Sequence, residues 1–327
     1  MIGLIGRRLL QLPVIMLVIY TVTFMLAWAL PGEAVINDEG RQPPAAVLDA
    51  MKKQYDLDDP FRFYTRYLYR VTGARWAVES AKSAAGDEDA QVPAVVFDFG
   101  PSFKYEDWTV NEIIASSLPV SVVLGLSAIL IALGLGLTAG VLGAVRPNSA
   151  LDLSTLVVAL VGISLPSFVI GTVLLITFPV FLGVGTVGGW GAWHHAVLPA
   201  LSLSLPFAAY IARLTRMGMI ETLGSDYVRT ARAKGVSRRG VVLRHALKNA
   251  FLPVLSYLGP ASAFAMTGSF VVEMVFNVPG IGQHFVDAVR GKDLFLIMGV
   301  TLIFSGLLVV LNLVVDVLYR WVDPRIE

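Results

Sequence analysis

Six apolar stretches of this chain contain no lysine or arginine: Leu9–Leu30, Leu118–Val145, Leu153–Val184, Ala196–Ala212, Phe251–Phe276 and Leu294–Leu318. Five of them reach or exceed the roughly 20 residues that carry a helix across a bilayer core. Their hydrophobicity is continuous rather than alternating. A lipid-embedded backbone must satisfy its own hydrogen bonds, so runs of this kind fold as helices. The fold class that follows is an all-α polytopic membrane protein with six transmembrane helices. Charged residues make up only 15% of the chain, against about 25% in a soluble domain. The third stretch is long enough to tilt or to include a re-entrant piece. The fourth is short and holds Pro199 and Pro206. The first is too long for a signal-peptide core and no cleavage pattern stands out, so it reads as a retained span, residues 1–30.

Charge sets the expected orientation. Between Arg213 and Lys248 lie nine Lys/Arg against two acids, while the whole chain carries a net +1. Burying such a cluster is excluded, because each cation at mid-bilayer costs roughly 2.5–3.5 kcal/mol on the insertion scale. The positive-inside bias therefore places the 213–250 loop and both termini in the cytoplasm and residues 31–117 outside. A near-neutral total gives no sign of nucleic-acid binding, and a chain with no cysteine has no thiol chemistry.

The outer segment has grammar of its own. Residues 43–57 show helical spacing of Val47, Leu48, Met51 and Tyr55, and Asp59 before Pro60 is a helix-start signal. Phe61, Phe63, Tyr64, Tyr67 and Tyr69 are expected at headgroup level. The stretch around 74–95, rich in small residues and acids, reads as a flexible solvated insertion in a capping subdomain.

Catalytic signatures are missing from the sequence. A phosphate-binding loop needs Gly-Lys followed by Ser or Thr, and Gly291-Lys292 is followed by Asp. His194 and His195 sit beside Trp190 and Trp193 with no acid or thiol near in sequence. That suits an interfacial loop better than a metal site. Glu273 and Asp316 fall near the ends of their spans, on opposite sides of the membrane by this topology, and are not expected to share a proton. The chain reads as neither an enzyme nor a holder of a metal or cofactor.

The cationic loop reads as helix–glycine–helix. Ser225-Asp226 starts a helix through Lys234, Gly235 ends it, and Ser237 caps a second helix that runs toward Leu252-Pro253. Ala231, Ala233 and Gly235 offer small residues where another protein could approach closely. This pattern resembles the EAA loop of ABC-importer permeases, with Arg229-Thr230-Ala231 at the EAA position and the Leu-Pro ending about five residues late. The stretch RTARAKG…RHALKNAFLPVLSYLGP is similar to the peptide-permease version of that loop. DFGPSFKYEDWTVNEIIASSLPVS (98–121), GSFVVEMVFNVPGIGQ (268–283) and DVLYRWVDPRI (316–326) resemble other segments of OppB-type oligopeptide permeases.

The resemblance implies a type I ABC importer permease fold. It implies residues 118–327 as a five-helix core in the bacterial cytoplasmic membrane. The implied partners are a second permease subunit, two cytoplasmic ATPases that bind ATP and Mg, and an extracytoplasmic binding protein that delivers peptide. Tyr227, Arg229, Thr230, Ala231, Lys234, Gly235 and Val236 are the implied ATPase contact. Glu273, Pro279, Gly280 and Gly282 are candidates for an outer gate or a binding-protein contact. A peptide path must be wettable without being sticky, which makes Ser164, Ser167, Ser204, Ser256, Thr267 and Ser269 its candidate lining. The prolines at 166, 199, 206, 253 and 260 supply places to kink. Gly136 and Gly140 form a close-packing face, expected to meet another helix of the complex. Dipeptides, nickel chelates, opines or glutathione are alternative cargo. An ion-coupled carrier would need mid-membrane ionisable residues or paired broken-helix repeats, and neither is seen.

Overall fold

The computed structural model describes residues 2–31, 45–87, 89–105, 107–267 and 270–322, and among these the regular structure is helical. In chain order the helices are α1 (Ile2–Ala29), α2 (Ala45–Gln54), α3 (Pro60–Val71), α4 (Ala74–Ala84), α5 (Val110–Val145), α6 (Ala150–Ser164) and α7 (Ser167–Leu175). After a π-helical turn at Ile176–Phe181 come α8 (Val197–Leu223), α9 (Asp226–Ala233) and α10 (Arg238–Gly240), then a second π-helical stretch at Val241–Ala246. The chain ends with α11 (Leu247–Ala250), α12 (Leu252–Met266), α13 (Phe270–Val275), α14 (Ile281–Arg290) and α15 (Leu294–Val322). Stretches in α1, α5, α8 and α15 are long and apolar enough to cross a bilayer, and α6 with α7 forms a broken pair bent by 103°. The shorter apolar α12 covers most of the fifth run read from the sequence. The break between α6 and α7 is local chemistry. Pro166 disfavours helical geometry at the residue before it, and Leu165 is extended with φ −89° and ψ 128°.

Two compact units divide the chain. One comprises residues 9–118 and 284–306. Here Asp59 caps α3 by accepting from the backbone N–H groups of Phe61 and Arg62 at 3.1 and 3.0 Å, with Pro60 in the first turn. The aromatics of α3 do not all share one environment. Phe63 and Tyr67 are buried against the Phe295 ring, at centroid distances of 5.2 and 5.4 Å, while Phe61 is 74% exposed. The i, i+4 spacing puts Phe63 and Tyr67 on one helix face and turns Phe61 away.

Residues 74–84 of the expected insertion form α4. Its alanines are strong helix formers. Arg75 pairs with Asp98 at 3.5 Å, and the Gln91 N–H donates to Glu79 at 3.2 Å, which fastens both the helix and the returning strand of chain. Asp293 organises the end of this segment. Buried completely, it accepts from Ser102 Oγ (2.6 Å) and from the backbone of Phe103 (2.8 Å), Lys104 (3.2 Å) and Leu296 (3.1 Å). Burial pushes its carboxyl above the usual range, and these four donors hold it back.

The other unit comprises residues 1–8, 119–283 and 307–327. Its core centres on α8, whose Ala200, Leu203, Phe207, Ala208 and Ile211 cluster with Leu124, Ala128 and Ala132 of α5. Gly136 and Gly140 meet this same helix. A Cβ at 136 would come within 2.7 Å of the Ala208 carbonyl oxygen and of Ile211. One at 140 would come within 2.6 Å of the Ala212 carbonyl oxygen and of Thr215. Small residues let the two backbones touch, which compensates for the weak hydrophobic drive between helices in lipid.

Candidate functional site

The cationic loop leaves α8 through Gly224 and Ser225 and enters α9. Ser225 adopts extended N-cap geometry, although its hydroxyl donates back to the Thr222 carbonyl at 2.6 Å rather than accepting from α9. The C-terminus is closed by a Schellman arrangement. The Val236 N–H donates to the Ala231 carbonyl (3.2 Å) and the Gly235 N–H to Arg232 (3.0 Å), with Gly235 at φ +81°. Only glycine adopts that backbone without strain. Ser237 then accepts from the Gly240 N–H at 3.3 Å and starts the returning helical stretch.

The loop is braced as one body. The Tyr227 hydroxyl accepts from Asn249 Nδ2 at 2.7 Å and reaches the His245 carbonyl at 3.5 Å. Val228 is fully buried and Ala231 is 8% exposed, so these two form the inward face of α9. Ala231 therefore supports the loop from inside, while Ala233 and Gly235 lie on its open side. Tyr227, Arg229, Thr230 and Lys234 are also exposed, and Val236 is half-buried. Among the described residues Arg229 pairs with Asp226 beside it, at 3.5 Å, in an exposed pair. The outward face thus carries an aromatic, a hydroxyl and cations on a short helix closed at its C-terminus by Gly235.

Glu273 forms a second centre. Its carboxylate is wholly buried and accepts from Ser121 Oγ at 2.6 Å and from the Gly282 N–H at 3.0 Å. Ser121 Oγ in turn accepts from the Ile281 N–H at 2.9 Å. The Glu273 carbonyl takes the Val278 N–H at 2.8 Å. One acid and one serine thereby pin the turn that contains Gly280 and Gly282, and Pro279 stands exposed at its tip.

The candidate path hydroxyls are less concentrated. Ser204 donates to Leu201, Ser256 to Leu252 and Thr267 to Phe264, each a carbonyl in its own helix. Ser164 and Ser167 flank the α6–α7 break. Ser269 lies outside the described residues. Among the described residues no hydrogen bond joins any two of these hydroxyls.

Two polar residues with clear roles escaped sequence reading. Ser121 has no signal that separates it from other serines in apolar runs. Asp152 does have one: it stands three residues after Ser149, which caps α6, and accepts from the Asn148 N–H at 2.8 Å.

Residues 113–327 match the family described as "Binding-protein-dependent transport system inner membrane component". Residues 1–125 match its companion, "Binding-prot-dependent transport system membrane comp, N-term". The chain is 39% identical over 330 residues to the oligopeptide transport system permease protein OppB of Escherichia coli (strain K12), covering the whole of both. It is 38% identical over 322 residues to the dipeptide transport system permease protein DppB of Bacillus subtilis (strain 168), covering 98% of this chain and 96% of that one. The inward-facing MetNI methionine ABC transporter superposes with a TM-score of 0.52 at 16% identity, over 65% of this chain and 97% of its own, which is a likeness of fold. The chain belongs to the family of binding-protein-dependent transport system inner membrane components.

Proposed function

We infer that this chain is the membrane-spanning permease subunit of an ATP-driven oligopeptide importer. It forms half of a translocation path with a second permease and passes on the work of two cytoplasmic ATPases. An extracytoplasmic binding protein supplies the peptide. ATP and Mg belong to the ATPase chains, and this chain contributes no catalytic group. The observation that carries the reading is the capped α9 with its outward face of Tyr227, Arg229, Thr230, Lys234 and Gly235. A loop that merely fixed topology would need charge alone. This one spends a left-handed glycine and a Tyr227–Asn249 brace on holding a short helix rigid. On this reading Val236 and Ala231 support the contact, and the loop and both termini face the cytoplasm.

The test is reconstitution with the second permease, both ATPases and the binding protein. Peptide uptake should require all of them and ATP. Uptake by this chain under an ion gradient, with the ATPases left out, would sink the reading. The full-length likeness to a dipeptide permease favours dipeptides as a second cargo class. Competition between dialanine and longer oligoalanines for uptake separates the two.

A further inference from the structure

Asp152 and Arg216 form a bidentate pair. Arg216 Nε donates to Oδ1 of Asp152 at 2.5 Å and Nη2 to Oδ2 at 2.8 Å. Asp152 is 1% exposed and sits in the first turn of α6. Arg216 lies on α8, about two turns before that helix ends and the cationic loop begins. A second tether reaches the same corner from the loop itself: Arg238 Nη2 donates to the Val145 carbonyl, the last residue of α5, at 3.3 Å. The turn from Val145 to Asp152 is thus held at one side by the loop and at the other by the helix that leads into it. Gly143 allows this closeness, since a Cβ there would lie 3.0 Å from both Asp152 Oδ1 and Thr155 Oγ1.

We propose that the Asp152–Arg216 pair is the link through which movement of the 225–250 loop reaches the broken third span. The proposal rests on the reading that this loop contacts the ATPases. The physical reasoning starts from what the pair is poor at. Burying two charges is costly, and an apolar contact would hold α6 to α8 as firmly, so stability alone is a weak reason for the pair. What a fork-to-carboxylate contact provides is a fixed register and direction. The braced loop and α8 form one body down to Arg216. From Asp152, α6 runs as a single helix to Ser164 and then meets the extended residues Leu165 and Pro166. A displacement at Arg216 is delivered to the start of α6 and appears at its far end as rotation about that break. Ser164 and Ser167 stand on either side of it, where a change of angle alters the path. Asp152 and Arg216 are positioning residues: they touch neither ATP nor peptide.

The experiment uses the complete transporter in proteoliposomes, with radiolabelled oligoalanine and loaded binding protein. Three quantities are read: ATPase chains retained on purification, ATP hydrolysed, and peptide moved per ATP. For Asp152→Asn/Arg216→Gln, which leaves no charge unpaired, retention and hydrolysis should stay near those of the unaltered complex. Peptide moved per ATP should fall about tenfold, within the span known for coupling mutations. Arg216→Lys keeps the charge but loses the fork, and should lower the same ratio about threefold. It decides the matter if the neutral pair fails to insert. An unchanged ratio in whichever variant assembles overturns the proposal. Gly235→Asp keeps the two failures apart. If it retains the ATPases with normal uptake, the contact reading falls, whereas an unchanged ratio in the Asp152 and Arg216 variants removes only the link.

Discussion

Gly280 lies directly against the carboxyl group of Glu273. A Cβ built at position 280 would overlap the carboxyl atoms, and one at Gly282 would stand 2.9 Å from Oε2. The glycines are there because the turn wraps a buried acid closely enough to give it backbone donors. Gly280→Ala should therefore expel the carboxylate and free the turn. We expect a loss of about 2–4 kcal/mol, the range for a buried polar group deprived of its partners. Glu273→Gln keeps the shape and one acceptor oxygen, and should cost roughly half as much. Thermal unfolding of the purified chain in detergent reads both. A Gly280→Ala variant as stable as the parent would show that the turn has room to shift.

The loop glycine behaves differently. Among the described residues nothing stands within 4 Å of a Cβ at Gly235, so a Cβ there meets backbone strain from φ +81°. That strain is on the order of 1 kcal/mol. Gly235→Asp should insert and express, yet lose ATPase chains on purification or hydrolyse ATP without moving peptide. Arg239→Gln, which removes one exposed cation from the same loop, should transport near normally. Equal transport by both variants would reduce the loop to a topology signal.

Orientation is open to direct labelling, because the chain contains no cysteine. Ser83→Cys places a thiol on exposed α4, and Arg239→Cys places one on the loop. An impermeant maleimide on intact cells should mark position 83 and reach 239 only after permeabilisation. Labelling in the reverse order would invert the topology and, with it, the placement of the ATPase contact.

What could be read from the residues depended on how local the determinant was. Asp59-Pro60, Gly235 and Ser237 act on their own neighbours in sequence, and their helix boundaries were legible. Pro166 was legible only as one of five places to kink, and the break in the third span falls there. The composition of residues 74–95 does not announce α4, because alanine serves an exposed helix as well as a linker, and the bridges to α4 come from Asp98 and Gln91. Gly136 and Gly140 announced a close approach without naming the helix approached. Asp152 and Arg216 are 64 residues apart, and nothing in either neighbourhood points to the other. Partners across the fold are the part a one-dimensional reading leaves out.

His284 yields a prediction about pH. It lies on α14, outside the spans, with Nδ1 3.0 Å from the Tyr105 hydroxyl and the rings edge to face at 5.1 Å. Burial holds its pKa below the ordinary 6.5; Lys104 acts in the same direction and Asp287 against it. The sign follows from proton counting. Below about 6.5 the unfolded chain takes up a proton that the folded chain still refuses, so the unfolded state gains as pH falls. Stability should be complete above 6.5 and decline as pH drops from there toward the folded pKa. Asp293, in the same unit, has a raised pKa and so tilts stability the opposite way in more acidic solution. The informative quantity is therefore the difference between parent and His284→Gln. Measured as unfolding temperature across pH 5 to 8, that difference should favour the parent most above about 6.5 and shrink steadily below it. A constant difference across the range would mean that His284 takes up its proton equally in the folded and the unfolded chain, and that burial beside Tyr105 does not set it.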